Sequence, residues 1–263
     1  MTTGIRLKVA YDGSGFAGFA RQRDQRTVQG VLCAAAERIA GHPVLVRGAS
    51  RTDSGVHALG QVVAFASERE LPLERWARAL NRLLPDDVAV RDPEPCAVDY
   101  DPRFDARDKV YRYLIHTGAQ RDPLVRGSSW HLARLLHRDR GIDLDAMRAC
   151  CALLTGTHDF RAFRAAADQR ENTVRTMLRV ELFERYAGDP ALLALEVHGN
   201  SFMLNMVRIL AGTLVEIGRG RMTTATVAEL LGESGTRSRA GMTAPAHGLT
   251  LVDIRLGRDS GRG

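Results

Sequence analysis

The sequence predicts an α+β fold in two related halves. Three observations point there. Runs of strand-like sequence recur from Ile5 to Ile254 in the 263-residue chain. Between them lie stretches with helical spacing, and strand–helix–strand occurs twice over. The length suits one large or two small domains, and a 44% hydrophobic, 26% charged composition is that of a globular chain.

The first half is read in order. Ile5 to Tyr11 alternates apolar and polar residues as a half-buried strand does, and breaks at Asp12–Gly15, a turn signal. Thr27 has the chemistry of an N-cap, with Val28, Val31, Leu32, Ala35 and Ile39 on one helical face. Pro43 to Arg47 and Gln61 to Ala66 are strand candidates, joined by the polar loop Gly48–Gly55. Pro72 opens a helix carrying Leu73, Trp76, Leu80 and Leu83, and Val88 to Arg91 returns as a strand.

The second half repeats the theme. Val110 to His116 is strand-like, with Tyr111, Tyr113 and Ile115 on one face. Residues 119–140 read as a connecting loop with a short helix. Asp143 caps a helix running to Leu154. Thr176 to Phe183 and Leu192 to His198 are strands, followed by an apolar helix from Phe202 to Ile217. The apolar segment Val227 to Leu231 and a last strand from Leu249 to Ile254 complete the pattern, and Gly257 to Gly263 reads as a disordered tail.

Composition removes several classes. No apolar run approaches a membrane span, and the amino terminus lacks the apolar stretch of a signal peptide. The four cysteines (Cys33, Cys96, Cys150, Cys151) form no CxxC pair, which disfavours a disulfide framework or a zinc site and favours a reduced, cytoplasmic home. Histidines show no metal-ligand spacing, and no GxxxxGK[ST] or GxSxG motif occurs. Neither metal nor cofactor is expected.

The charge is more informative. Lysine occurs only at Lys8 and Lys109, so all but two of the 37 basic residues are arginine. Arginine suits forked bonding to phosphate and stacking on bases, although a genomic bias gives the same count. Residues 1–106 hold 14 basic and 14 acidic residues, so the net +6 lies wholly beyond them. That asymmetry permits a polyanionic partner.

One dense polar loop remains, Ser50–His57, which reads SRTDSGVH. Its patterning alone is that of an Asx-turn, with Asp53 bonding the backbone near Gly55. The loop resembles the GRTDxGVH signature of the TruA-type tRNA pseudouridine synthases. Tyr11–Ser14 with Gly18–Gln22 resembles that family's YDG…GWQRQ opening, and Thr27–Gln29 its (S/T)VQ helix start. Asn81 to Val90, Phe104–Arg107 and Tyr111–Tyr113 resemble its NxxLPxD(I/V)xV, FxAR and YRY segments. Leu154–Phe160, Arg175–Thr176, Asn200–Phe202, Met206–Arg208 and Ala246–Leu249 follow in the same order. The matches span nearly the whole chain. Ser50 stands where many members have glycine, and Phe19 where many have tryptophan; the second is read as trimming an aromatic surface.

The resemblance implies two ferredoxin-like (RRM-like) halves forming a continuous mixed or antiparallel sheet with a central cleft. Residues 1–106 would carry the catalytic aspartate loop, and the basic residues 107–256 would complete the cleft, with 257–263 as tail. It implies isomerisation of uridines 38, 39 and 40 in the tRNA anticodon stem-loop, by a homodimer, without cofactor or metal and without a membrane. Making pseudouridine breaks the C1′–N1 bond, turns the base and rejoins it through C5, so one nucleophilic carboxylate is needed. Asp53 is the candidate. A free aspartate is ionised near neutral pH, with a pKa of about 3.9. An arginine partner offsets its loss of water, and Arg208 is assigned that role. Tyr111 would stack on or bond the target base and assist proton removal at C5. Leu249 would wall the uracil, Arg21 and Arg23 would hold phosphates, and Arg51 would bind phosphate or support the shape of the loop. Asn200 and Phe202 read as capping and packing at a helix start, while His57 and His158 could each satisfy a carbonyl. Arg26 joins the phosphate-holding loop arginines, and Arg75, Arg78 and Arg82 form a stripe that pairing with Glu74 would make a solvated surface.

Two other classes are open to the same residues. A catalytically dead RNA-binding protein would lack the aspartate. A hydrolase using Asp53 and His57 would need further ligands. The route of attack stays open between C1′ attack, C6 addition and elimination to a glycal.

Overall fold

A computed structural model describes residues 2–136 and 141–257. The expected tail therefore lies, Gly257 apart, outside the described residues. The chain divides into two compact units, one running to Arg107 and resuming at Leu251, the other spanning Asp108–Thr250.

Unit one begins with β1 (Thr3–Tyr11), whose alternation buries Ile5, Leu7, Val9 and Tyr11. Thr27 caps α1 (Val28–Ala40) by accepting the Gly30 N–H, and Gly41 ends it in the left-handed conformation. The strand expected over Pro43 to Arg47 shrinks to β2 (Arg47–Gly48), and β3 (His57–Ser67) starts four residues earlier than its alternation predicts. Next come α2 (Leu73–Leu83), β4 (Val88–Cys96) and the single turn α3 (Pro102–Asp105). β4 and β3 flank β1 antiparallel, with Ile5 opposite Phe65 and Val9 opposite Val90, and β2 pairs β3. The core closes where Trp76 of α2 meets Phe65 edge-on, ring centroids 5.3 Å apart.

Unit two takes in most of β5 (Ala106–His116), which runs antiparallel to β9 and parallel to β6 (Trp130–His131). The short helix expected within 119–140 is absent among the described residues, and 137–140 lie outside them. Asp143 caps α4 (Leu144–Leu154) through the Ala146 N–H, as its position before the apolar run predicts. β7 (Gly156–Asp159), β8 (Val174–Phe183) and β9 (Leu192–Gly199) follow, giving the order β5-β9-β8-β7. α5 (Met206–Gly218) starts four residues later than predicted, because Asn205 takes φ 59° and cannot lie within a right-handed helix. α6 (Thr224–Leu230) fills the apolar segment before the last strand.

That strand, β10 (Leu249–Leu256), corrects the boundary read from sequence. From Leu251 onward it belongs to unit one, where it neighbours β3. Gly60 of β3 lies so close that a Cβ there would fall 2.4 Å from the Val252 carbonyl oxygen.

Candidate active site

Each unit positions part of the residue set singled out above. In unit one, the loop bearing Asp53 is fixed along its whole length. At its start, Gln61, fully buried, grips Ser50 from both sides. Its Nε2 donates to the Ser50 carbonyl (2.8 Å) and its Oε1 accepts the Ser50 N–H (3.2 Å). Thr52 shares a hydroxyl hydrogen bond with Tyr11 (2.7 Å), and its carbonyl accepts the Phe19 N–H. At the tip, the Val56 N–H donates to the Asp53 carbonyl, across a turn whose third residue, Gly55, has φ +77°. The turn is thus closed by the backbone of Asp53. An Asx-turn forms at Asp12, which accepts the Ser14 N–H (2.9 Å).

The opening segment braces this loop from beneath. Ser54 Oγ and the Gly55 N–H both donate to the Phe16 carbonyl. A Cβ on Gly13 would sit 2.0 Å from the Val56 oxygen, and Gly18, at φ +108°, passes the Thr52 carbonyl. His57 opens β3, and its Nδ1 accepts the Gly13 N–H (3.1 Å) while lying 3.1 Å from the Asp12 carboxylate. Burial works to raise the Asp12 carboxyl, but the bonds from Ser14 and the neighbouring His57 hold it below the ordinary value. Asp53 itself is half-buried and Arg51 is exposed. Phe19 is 2% exposed and presses on Gly48, so it is core and not a surface ring.

The arginines of unit one separate by environment. Arg26 forks onto Asp87 (2.8 and 2.9 Å) and stacks over Phe16 at 3.9 Å, which makes it a brace rather than a free phosphate ligand. Arg21 is exposed, with its backbone N–H on Gln29 Oε1, and the Arg23 side chain is 96% exposed. Along α2, Arg75, Arg78 and Arg82 line a surface groove of about 530 Å³ with Leu71, Ala79 and Leu83. Arg78 bonds the Glu74 carbonyl and not its carboxylate, so the pairing predicted for that stripe does not form.

Unit two holds Tyr111, Arg208 and Leu249. Tyr111 is buried on β5, and its ring packs edge-on against Phe202 with centroids 5.0 Å apart. Phe202 is therefore an aromatic neighbour of Tyr111, standing outside α5. Asn200 likewise does not cap that helix; its Oδ1 accepts the Thr176 N–H. Arg208 lies on α5, where Nε donates to the Ala244 carbonyl and Nη1 to Asn205 Oδ1, both at 2.7 Å. Two fixed acceptors aim a half-buried guanidinium. Burial pushes the Tyr113 hydroxyl far above the ordinary tyrosine value, with the charge of Arg208 opposing, and that hydroxyl donates to the Pro245 carbonyl (2.8 Å). Leu249, 6% exposed, begins β10 directly after Gly248, which presses on the Tyr113 ring. His158 Nε2 bonds the Thr155 carbonyl (3.0 Å), the plain role its sequence allowed.

One residue essential to this geometry escapes motif reading: Gln61 shows only as a lone polar residue heading an apolar run. Phe202 lies in a matched segment, but that segment does not report its contact with Tyr111. Other nucleophiles are silent: burial pushes the Cys96 thiol to about 11 and those of Cys150 and Cys151 to about 12.

The profile of a family described as tRNA pseudouridine synthase matches residues 8–105 and 150–256. A tRNA pseudouridine synthase A of Geotalea uraniireducens (strain Rf4) is 41% identical over 250 residues, covering 95% of this chain and 98% of that one. The protein of the same name from Geobacter sulfurreducens is 42% identical over 252 residues, covering 96% and 99%. That from Halalkalibacterium halodurans is 42% identical over 246 residues, covering 93% and 89%.

Proposed function

Since the chain belongs to the tRNA pseudouridine synthase family, we propose that it isomerises uridines 38, 39 and 40 of the tRNA anticodon stem-loop, with Asp53 as its nucleophile. The reaction breaks the C1′–N1 bond and forms C1′–C5, while C5 loses a proton and N1 gains one. Nothing is oxidised or reduced. A stacked nucleotide hides C1′, so the target uridine leaves the stack before attack.

The observation that carries the assignment of Asp53 is the bracing of its loop. A carboxylate that must meet a sugar carbon at a set distance needs a fixed backbone, because misplacement by about 1 Å costs about 10²-fold. Gln61, Thr52, Phe16 and Gly13 supply that fixity here. Tyr111, buried but carried on a strand and backed by Phe202, suits contact with the base. Arg208, aimed by two acceptors, suits holding negative charge. Leu249 is the apolar contact for the uracil, and exposed Arg51, Arg21 and Arg23 bind phosphate. Two ferredoxin-like halves, the homodimer and the cytoplasmic setting belong to the same reading. The β-α-β-β-α-β order from β1 to β4 in unit one supports the first of these.

The test is chemical. Asp53→Asn should fold, bind tRNA and lose at least about 10³-fold in turnover, since an amide is no nucleophile. Retention of more than roughly a tenth of turnover, a loss of only about 1.4 kcal/mol, removes Asp53 from the role. Pseudouridine mapping of total tRNA from a strain lacking the protein checks the positions. Intact pseudouridine at all three would exclude them.

A further inference from the structure

The cations of unit two gather where no role has yet been given. The loop after Phe160 is tied down by Asp168, whose buried carboxylate accepts the N–H groups of Leu204 (2.8 Å) and Arg170 (3.1 Å). Arg170 Nη1 donates to the Phe202 carbonyl (2.9 Å), and its Nε lies 3.3 Å from Asp168. Arg164 donates to the Arg170 carbonyl. Across the sheet, Lys109 pairs with Gly199, and Gly199 lies against the Phe202 ring. Lys109 stands two residues before Tyr111 on one strand, so both side chains leave the same face. Phe202 therefore links three things: the Tyr111 ring, the Lys109 strand position and the Arg170 guanidinium.

The charges there do not balance. Among the described residues, Arg164, Arg170 and buried Arg175 act on the carboxylate of Asp168, and Lys109 lies near Arg170. Asp108, on the opposite face of β5, bonds His198, and Glu171 is exposed. Arg175 gives Nη1 to the Asn172 and Val174 carbonyls, while its buried Nε has no hydrogen-bond partner among the described residues. Burial and the nearby Arg170 hold the Lys109 ammonium below the ordinary lysine range. The same two causes lower Arg175, with Asp168 opposing. Like charges held together in this way are relieved by an anion.

We propose that Lys109, Arg164 and Arg170 form a phosphate subsite beside Tyr111 that takes a phosphodiester of the RNA strand carrying the target uridine. The subsite rests on the RNA reading given above and adds to it a fixed grip on the backbone next to the base. Arg170 and Arg164 supply forked donors, and Lys109 supplies a compact charge at lower desolvation cost.

The experiment is equilibrium binding of a full-length tRNA transcript over a KCl series, with wild type, Lys109→Met, Lys109→Arg and Arg170→Gln. Melting curves accompany each. Lys109→Met should raise Kd about tenfold and flatten the log–log salt slope by about one contact, 0.7–0.9. Lys109→Arg should restore the slope. Arg170→Gln should act in the same direction, with some loss of melting temperature from the lost Phe202 bond. A slope equal to wild type in Lys109→Met, or an equal loss in Lys109→Arg, overturns the subsite and leaves the RNA reading standing. A wild type without salt-dependent tRNA binding overturns both.

Discussion

The Asp53 loop and the Tyr111 corner are built by opposite means. The loop is held by main-chain hydrogen bonds and by glycines whose absent Cβ lets strands of backbone touch. The corner is held by side chains: one ring against another, and the Arg170 guanidinium on the Phe202 carbonyl. Backbone bracing tolerates almost no change in shape, whereas side-chain packing can be retuned by small substitutions. Under the proposed function, a nucleophile that must reach one carbon suits the first construction, and residues that meet a base suit the second.

Substitutions can break or sharpen that contrast, and the largest effect belongs to the loop. Gly13→Ala drives a methyl into the Val56 carbonyl, so about 1–3 kcal/mol of stability should go. Turnover should fall about 10²-fold although Asp53 is untouched. Stopped-flow turnover with a melting curve measures both, and a wild-type rate would show that the loop is not rigidly set. Phe202→Leu, at the corner, should cost about 0.5–1.5 kcal/mol through the lost ring pair. Its turnover should drop only about tenfold. If the corner proves the more sensitive of the two, the contrast is reversed.

Smaller effects test the arginines. Arg26→Ala should lower stability by about 1 kcal/mol, since it loses an exposed fork and a stacked ring, with little change in salt slope. Arg23→Ala should leave the melting temperature alone and flatten the slope by up to one contact. Exchange of those two outcomes would mean that exposure does not separate brace from ligand.

The smallest effect at neutral pH is carried by Asp159. Burial raises its carboxyl, but bonds from Arg161 and Thr173 bring it below the ordinary value of 3.8. A depressed folded pKa means stability that is fully present above 3.8 and is lost as pH falls through the lower folded value. Asp159→Asn should therefore be less stable than wild type at pH 7, with the gap closing in strong acid. Urea titrations at the two pH values decide it; a constant gap would show that the carboxylate charge is irrelevant.

Much of this was legible in the residues, for physical reasons that also mark where legibility stops. Thr27 and Asp143 announce helix starts because a short oxygen-bearing side chain before an apolar periodicity has one favourable use. Ile5, Leu7 and Val9 declare a buried face by alternation. The motif around Asp53 gave the nucleophile candidate but not its brace, since Gln61 and Gly13 act across the sheet. The start of α5 was misplaced because Phe202 and Met203 continue an apolar pattern that Asn205 ends by a left-handed turn. Pro43 to Val46 has strand composition without a ladder partner, so only Arg47 and Gly48 pair. Long-range pairing decides both cases, and periodicity does not report it.

The late return of β10 to unit one has a consequence for synthesis. The ribosome delivers β1, α1, β3, α2 and β4 long before Leu251 appears. Roughly 150 residues intervene, which at about 5–20 residues per second is on the order of ten seconds. Over that interval β3 shows part of an edge with unpaired N–H and C=O groups, a template for pairing with any neighbouring nascent chain. Unit one can thus collapse around Trp76 and Phe65 early but closes its sheet only after unit two has been made. The polypeptide is translated in one direction and finished in another.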